Sequence, residues 1–277
     1  MRLCSIASGS SGNCIYVGSD TTHLLVDVGI SGKKTEAGLK ELDLSMGDID
    51  GIFITHEHAD HIAGLGVLSR KYEIPIYATQ GTIDAIKDSS SVGNIPEGLL
   101  HPVCAEEKVI VKDLICNPMK ISHDAAEPVA YRIQHGKKRV GIITDLGNYN
   151  DYTVESLREM DALLLEANHD VNMLQVGPYP YYLKQRILGD RGHLSNERAG
   201  QLLCSLMSDR LQAVMLGHLS KDNNLPELAY ETVRVEVTLA QKRDEDEGRR
   251  EKGTGKVTDI PLYVAPRSEL SPVIHIA

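Results

Sequence analysis

The chain has 277 residues, 42% of them hydrophobic and 25% charged, and carries a formal net charge of −10. Such a length buries a substantial core, and the acidic balance excludes a protein that coats nucleic acid through a broad basic face. No apolar run approaches the roughly 18 residues of a membrane span, and the opening MRLCSIASGSSGN lacks the apolar core of a secretory signal. A cytoplasmic protein without a membrane partner is therefore expected. Five Cys stand at 4, 14, 104, 116 and 204 with no C-x-x-C pair, so they read as buried thiols rather than a disulfide framework.

In chain order, Leu3–Ala7, Cys14–Val17 and His23–Val28 read as three successive strands. Between the first two lies Ser8-Gly9-Ser10-Ser11-Gly12-Asn13. That loop could cradle an anion on its backbone N–H groups, but it lacks the Lys-Ser/Thr ending of a P-loop, and a structural turn is the favoured reading. Ser31–Leu42 predicts a helix, Ile49–Thr55 a buried strand, Asp60–Tyr72 a helix and Ile74–Ala78 a strand, followed by a helix from Gly81 to Asp88. Strands are predicted near Lys108–Ile115, at Ala130–Gln134 and at Arg139–Thr144. A helix at Thr153–Met160 then leads into the apolar Ala162–Glu166. Glu197–Met207 is a patterned helix with Ser195 or Asn196 as N-cap, and Leu211–Leu216 is the next buried strand. The charged stretch 241–256, QKRDEDEGRREKGTGK, predicts a flexible loop between Val233–Ala240 and Val257–Val264. Strands crowd both ends of the chain and regular βαβ repetition is absent. The pattern favours two mixed sheets packed together with helices outside, in one domain spanning 1–277.

The chemistry concentrates where strands end. Thr55-His56-Glu57-His58-Ala59-Asp60-His61 follows an apolar strand. In extended chain His56 and His58 point to one side, and Asp60 and His61 sit where the backbone turns into a helix. Imidazole and carboxylate suit zinc, manganese or iron. The spacing is not the helical H-E-x-x-H of a metalloprotease, because position 60 is Asp60. Three later strands also end in a potential ligand: His123 after Ile121-Ser122, Asp145 after Ile142-Ile143-Thr144, and His218 after Leu216-Gly217. Seven such groups suit two divalent ions. His56, His58 and His123 would hold one, Asp60, His61 and His218 the other, with Asp145 between them. Two ions about 3.5–4 Å apart can bind a bridging hydroxide and stabilise an oxyanion, so the expected reaction is hydrolysis.

This constellation resembles the metallo-β-lactamase superfamily, whose His-x-His-x-Asp-His signature is complete at 56–61 and whose later ligands match His123, Asp145 and His218 in order. The resemblance covers essentially the whole chain and implies an α+β, four-layer αββα sandwich with the metals at one edge of two facing sheets. Glu166 ends the strand Leu163-Leu164-Leu165, and His193 lies in Gly192-His193-Leu194-Ser195-Asn196. They look like the Glu–His pair of phosphodiesterase members similar to the tRNA 3′-processing enzymes. In such a pair the carboxylate orients the imidazole and favours its charged form, and the imidazole assists the leaving oxygen. Helix capping is the alternative role for His193, and His169 is taken as a pocket or helix-start residue rather than a ligand. Asp60, Asp145, Glu166 and His193 are thus the candidate catalytic groups.

With His218 only 73 positions after Asp145, no room remains for the insertion domain of RNase J-like and DNA cross-link repair members. SIASGSSGNCIYV, THEHADHIAG, ITDLG, LEANHD, GHLSN and GHLSKDNN are most similar to the YycJ/WalJ-like group, which implies 5′→3′ exonuclease activity on DNA. The expectation is a DNA phosphodiesterase, with DNA rather than RNA as partner, that uses two ions, Zn²⁺ or Mn²⁺, with Fe²⁺ as a further candidate. Two alternatives stay open: a hydrolase of a small ester, thioester or cyclic phosphodiester, and a non-catalytic metal-binding scaffold. Candidate phosphate contacts are Lys33-Lys34, Lys137-Lys138-Arg139, Arg186 and Arg191, with surface solubilisation an equal reading of the 137–139 cluster. Tyr179, Tyr181 and Tyr182 could offer stacking faces or simply pack an irregular segment.

Overall fold

Alternation along the strands sorts side chains onto two faces, and both faces of each sheet are covered. The computed structural model describes residues 1–247 and 260–277. The first sheet contains β1 (Arg2–Ala7), β2 (Cys14–Gly18), β3 (His23–Val26), β4 (Gly51–Phe53), β5 (Ile76–Thr79), β6 (Leu100–Val103) and β14 (Ile274–His275). Their spatial order is β14-β1-β2-β3-β4-β5-β6. The second contains β7 (Val109–Val111), β8 (Leu114–Lys120), β9 (Val129–His135), β10 (Lys138–Ile143), β11 (Ala162–Glu166), β12 (Ala213–Gly217) and β13 (Leu262–Val264). Its order is β13-β12-β11-β10-β9-β8-β7.

The period of two is visible in the packing. On β3, Leu24 and Val26 face the opposite sheet while Leu25 points to the outer helices; on β11, Leu164 faces inward while Leu163 and Leu165 point outward. The chain's one Phe, Phe53, sits between the sheets, stacked on Tyr77 at 4.6 Å and edge-on to Tyr131 at 5.3 Å. The Tyr131 hydroxyl donates to the Ile54 carbonyl at 2.8 Å, so its burial leaves no unmet polar group. Outside the first sheet lie α1 (Gly32–Glu41), α3 (Leu65–Tyr72) and α4 (Gln80–Asp88). Outside the second lie α5 (Asp151–Leu157), α8 (Asn196–Leu206) and α9 (Pro226–Asp246). The result is the four-layer αββα sandwich. No described helix is long and apolar enough to cross a membrane.

Several sequence expectations need correction. Val233–Ala240 belongs to α9 and not to a strand, and the helix continues through the first residues of the charged stretch to Asp246; residues 248–256 of that stretch, and 257–259 at the start of the strand expected at Val257–Val264, lie outside the described residues. Its β-branched composition favours a strand, but Ala229, Val233 and Val237 recur at helical spacing and are buried against α8, and that packing overrides local propensity. The helix predicted over Asp60–Tyr72 is divided into α2 (Ala59–Ile62) and α3 at Ala63-Gly64. A Cβ on Gly64 would lie 2.2 Å from the Ile30 carbonyl oxygen, so the chain must turn there against its neighbour. Lys108–Ile115 is a hairpin, β7 turning into β8 through Lys112, whose φ is +49°. Strands β6 and β14, and helices α6 (Val171–Val176) and α7 (Tyr181–Leu188), had no counterpart in the reading of the sequence.

This topology aims six strand ends at one place. β3 and β4 are parallel, as are β10, β11 and β12, and β8 runs with β10 because both are antiparallel to β9. The carboxyl ends of these strands meet along one edge of the sandwich, where open sheets collect their ligands. The segment His58–Gly64 lies on the end of β3: Val28 N–H donates to His61 O at 2.9 Å and Gly64 N–H to Val28 O at 2.8 Å. The contact requires glycine at position 29, where a Cβ would stand 1.7 Å from the Asp60 carbonyl oxygen. G29A should therefore lower unfolding free energy by about 1–3 kcal/mol through overpacking, read by urea denaturation, and weaken metal retention with it. Unchanged stability would mean that the 58–64 turn moves aside freely.

Candidate metal centre

Four imidazoles at the sheet edge are each held from behind by an acceptor that fixes the tautomer. His61 Nδ1 donates to Asp27 Oδ2 at 2.7 Å. Thr55 Oγ1 donates to the same oxygen at 2.8 Å, so it accepts from His56 Nδ1 at 3.0 Å. His123 Nδ1 donates to the Gly192 carbonyl at 3.1 Å, and His218 Nδ1 to Glu166 Oε1 at 2.9 Å. In all four rings the Nδ1 proton is committed outward and Nε2 is left for the centre, the arrangement that orients metal-binding histidines. His58 differs, presenting Nδ1 at 3.3 Å from His123 Nε2.

The facing atoms fall into overlapping groups, each with its ligand atoms within 4.8 Å of one another: His56, His58 and His123; His56, His61 and Asp145; Asp60, His61 and His218; and Asp145, Glu166, His193 and His218. All seven residues expected as ligands are thus brought together, with Asp145 beside both triads. The donor set fits divalent cations. His56 Nε2 is buried without a hydrogen-bond partner, which is costly for a neutral imidazole unless a cation takes its lone pair. The site suits one or two divalent ions.

Three residues here have left-handed backbone: Asp27 (φ +60°) and His218 (φ +55°), each the first residue after its strand, and Asp145 (φ +58°), the second after β10. The turn swings the side chain off the strand axis into the edge and is held by surrounding bonds. Asp27 N–H donates to Phe53 O at 2.8 Å, and His218 N–H to Ser8 Oγ at 2.8 Å.

Charge is tightly balanced. Burial opposes charge on Glu166, but His193 and His218 bring its carboxyl down to about 2. Burial likewise opposes ionisation of Asp60 and Asp145, and the surrounding imidazoles hold both below the carboxylate range. Burial lowers His56 and His123. It also opposes charge on His61 and His218, yet carboxylates prevail: Asp145, Asp27 and Asp60 raise His61 well above the histidine range, and Asp145, Asp60 and Glu166 carry His218 to about 10.

Glu166 and His193 meet as the sequence suggests, with His193 Nδ1 donating to Oε1 at 2.8 Å. The capping alternative falls away because Ser195 caps α8, its side chain accepting from Arg198 N–H. The sequence reading missed that Glu166 holds His218 with the same oxygen. It also missed Asp27. Asp27-Val28-Gly29 repeats the pattern of Asp145-Leu146-Gly147 after an apolar strand, and that repetition was the available signal. The Ser8–Asn13 loop serves as a structural turn under the centre: Asn13 Nδ2 donates to the Gly9 and Asp60 carbonyls and lies 3.2 Å from His61 Nε2. His169 lies beside His193 in a 410 Å³ cavity, outside the metal-facing groups. Lys137 lies in the turn between β9 and β10, and Lys138 and Arg139 open β10, at the end of that strand opposite Asp145. Arg186 pairs with Asp124, next to His123, and Arg191 donates to the His123 carbonyl at 3.0 Å.

Residues 22–218 match the family described as beta-lactamase superfamily domain. The chain belongs to the metallo-β-lactamase superfamily. It is 42% identical over 228 residues to exodeoxyribonuclease YycJ of Bacillus anthracis, covering 82% of this chain and 86% of that protein. It is 41% identical to exodeoxyribonuclease WalJ of Streptococcus pneumoniae, covering 85% and 87%. The fold superposes on the metallo-β-lactamase-fold protein YhfI from Bacillus subtilis with a TM-score of 0.68 at 17% identity, over 98% of both chains. Fold, family and donor set together make this a metal-dependent hydrolase of that superfamily.

Two outcomes follow from how the superfamily's edge is built here. D27N, which keeps the shape but weakens the hold on His61 Nδ1, should reduce metal affinity about 10–100-fold, measured by chelator competition; affinity equal to wild type would reduce Asp27 to a packing residue. Protons on His61 and His218 occupy the places a cation would take and must leave as it binds. Apparent affinity should therefore rise with pH across roughly pH 6–9, by up to about tenfold per unit for each proton released. Titration calorimetry in buffers of different ionisation enthalpy checks this, and a heat independent of buffer would refute it.

Proposed function

We propose that this chain is a 5′→3′ exodeoxyribonuclease using two divalent ions, Zn²⁺ or Mn²⁺ with Fe²⁺ as a further candidate. His56, His58 and His123 would hold one ion, and Asp60, His61 and His218 the other, with Asp145 between them. The observation that carries the substrate class is the similarity to two exodeoxyribonucleases over more than four fifths of this chain and of both relatives. Bound ions would supply Lewis acidity toward the phosphate oxygens and an activated water.

The remaining chemistry belongs to the chain. His193 is about one-fifth exposed at the rim, whereas Glu166 is fully buried. With its Nδ1 proton committed to Glu166, His193 is turned so that Nε2 can give a proton to the oxygen leaving phosphorus. Glu166 acts through His193 and His218 and is a positioning residue. The 410 Å³ cavity between His193, His169, Leu188 and Arg198 leaves room for a substituent beside the scissile phosphate.

The decisive experiment incubates metal-loaded protein with end-labelled single- and double-stranded DNA and RNA beside D145A. Stepwise shortening of DNA from the 5′ end, absent in D145A, is expected. Shortening from the other end, or internal cuts, would correct the polarity; no cleavage with Mn²⁺ or Zn²⁺ would sink the substrate assignment. H193A should lower kcat by about 10²–10⁴ while metal content stays at the wild-type level. An H193A rate within a few-fold of wild type would remove His193 from proton transfer.

A further inference from the structure

Helices α6 and α7 form an overhang at the rim of the metal centre, and α7 contains no buried residue. The exposure is unusual for what it carries: Tyr181 is 76% exposed and Tyr182 75%. Packing of an irregular segment therefore does not account for these two rings. Tyr179 behaves differently, its hydroxyl donating to Asp222 Oδ2 at 2.9 Å as a tether.

The overhang is fixed in place on the centre. Arg186 pairs with Asp124, which follows His123, and His193 N–H donates to the Ile187 carbonyl at 3.0 Å. Gly192 sits so close beneath α7 that a Cβ would lie 2.1 Å from the Ile187 carbonyl oxygen. Leu188, at the end of α7, lines the same cavity as His193. Tyr181, Lys184 and Leu188 share one helical face, so a stripe runs from an exposed ring to the cavity beside His193.

Charge points the same way. In a chain of net charge −10, residues 171–189 carry Lys184 and Arg186 and no carboxylate, although Asp124 neutralises Arg186 and Asp170 and Asp190 bound the stretch. Lys184 Nζ donates to the Gln175 carbonyl at 2.7 Å and Arg191 to the His123 carbonyl, so among the described residues both are positioned by neutral acceptors and neither is paired with a carboxylate. Exposed aromatic faces beside unneutralised cations, opening onto a hydrolytic centre, match a flexible polyanion with flat apolar groups.

We infer that α7 is a single-strand platform on which Tyr181 and Tyr182 stack the bases of the DNA strand leading into the metal centre. This rests on the nuclease reading above and extends it to how the polymer is held. Because every base offers a π-face, the platform tolerates any sequence, as a stepwise nuclease requires.

The test uses the metal-loaded full chain and a fluorescent single-stranded oligodeoxynucleotide, with binding read by anisotropy in Ca²⁺ to hold off cleavage and KM and kcat read in Mn²⁺. Y181A/Y182A should weaken binding at least about tenfold, with the loss in KM, and Y181F/Y182F should restore most of it because the ring faces remain. I110S, which changes another exposed apolar residue on β7, serves as the surface control and should leave DNA affinity as it was. Wild-type affinity in Y181A/Y182A overturns the platform, as does a change in oligomeric state with DNA affinity intact, which would make the face an interface between two copies of the chain. If wild-type protein neither binds nor cleaves DNA, the nuclease reading falls together with the platform. If it cleaves and only the tyrosine variants are silent, the platform alone falls.

Discussion

A single carboxylate, Glu166, ties together parts of the chain that are distant in sequence. Its Oε1 accepts from His193 Nδ1 at 2.8 Å and His218 Nδ1 at 2.9 Å; its Oε2 accepts from Leu146 N–H at 2.7 Å and Leu194 N–H at 3.3 Å. Moving a carboxylate out of water costs several kcal/mol per ion unless its lone pairs are met. Here four donors meet them, two of them on rings able to carry charge. The consequence is coupling: the backbone after Asp145, the ring of His218 and the ring of His193 share one anchor at the end of β11. A displacement of β11 against β10 or β12 would disturb the cation-facing donors and the ring of His193 at once.

That anchor explains which parts of the site were legible in the sequence. Strand ends could be read because burial on both faces makes β10, β11 and β12 continuous apolar runs, and a polar residue closing such a run stands out. His56 to His61, His123, Asp145, Glu166 and His218 all carry that signature or lie in a dense polar cluster, whereas His193 stood out only through the family resemblance. Asp27 carries it too, but a lone Asp before Gly also reads as a turn residue, and only the proximity of His61 across 34 positions distinguishes the two. The pairing of Glu166 with His218 was not legible at all, since it depends on β11 and β12 being adjacent and parallel in register, Glu166 opposite Gly217.

The fold divided in the same way. Elements bounded by turn chemistry, such as β1 to β3 and α1 with its Ser31 cap, emerge close to their observed limits. Elements whose identity is decided by a partner do not. The 233–240 segment of α9 is rich in β-branched residues and becomes helical because α8 offers a surface for Ala229, Val233 and Val237. Helices α6 and α7 have almost no apolar stripe to announce them, because they bury almost nothing: one residue of α6, Leu174, and none of α7.

The contrast between the centre and its rim has a physical logic. At the centre, three left-handed residues each cost on the order of 1–3 kcal/mol. They persist because paired strands, Ser8, Asn13 and Glu166 over-determine their positions. Strain of that kind suits groups whose geometry must not drift by a fraction of an ångström. In the proposed exonuclease, a polymer that advances by one nucleotide after each cut would ask the opposite of the surface beside the centre, which would have to release and re-engage without a sequence-specific lock. Stacking on exposed rings and attraction to fixed cations meet that demand, since neither depends on donor–acceptor matching to a particular base. A rigid edge and a chemically permissive overhang are therefore two answers to one problem, and in this chain they are joined directly through the short segment from Leu188 to His193.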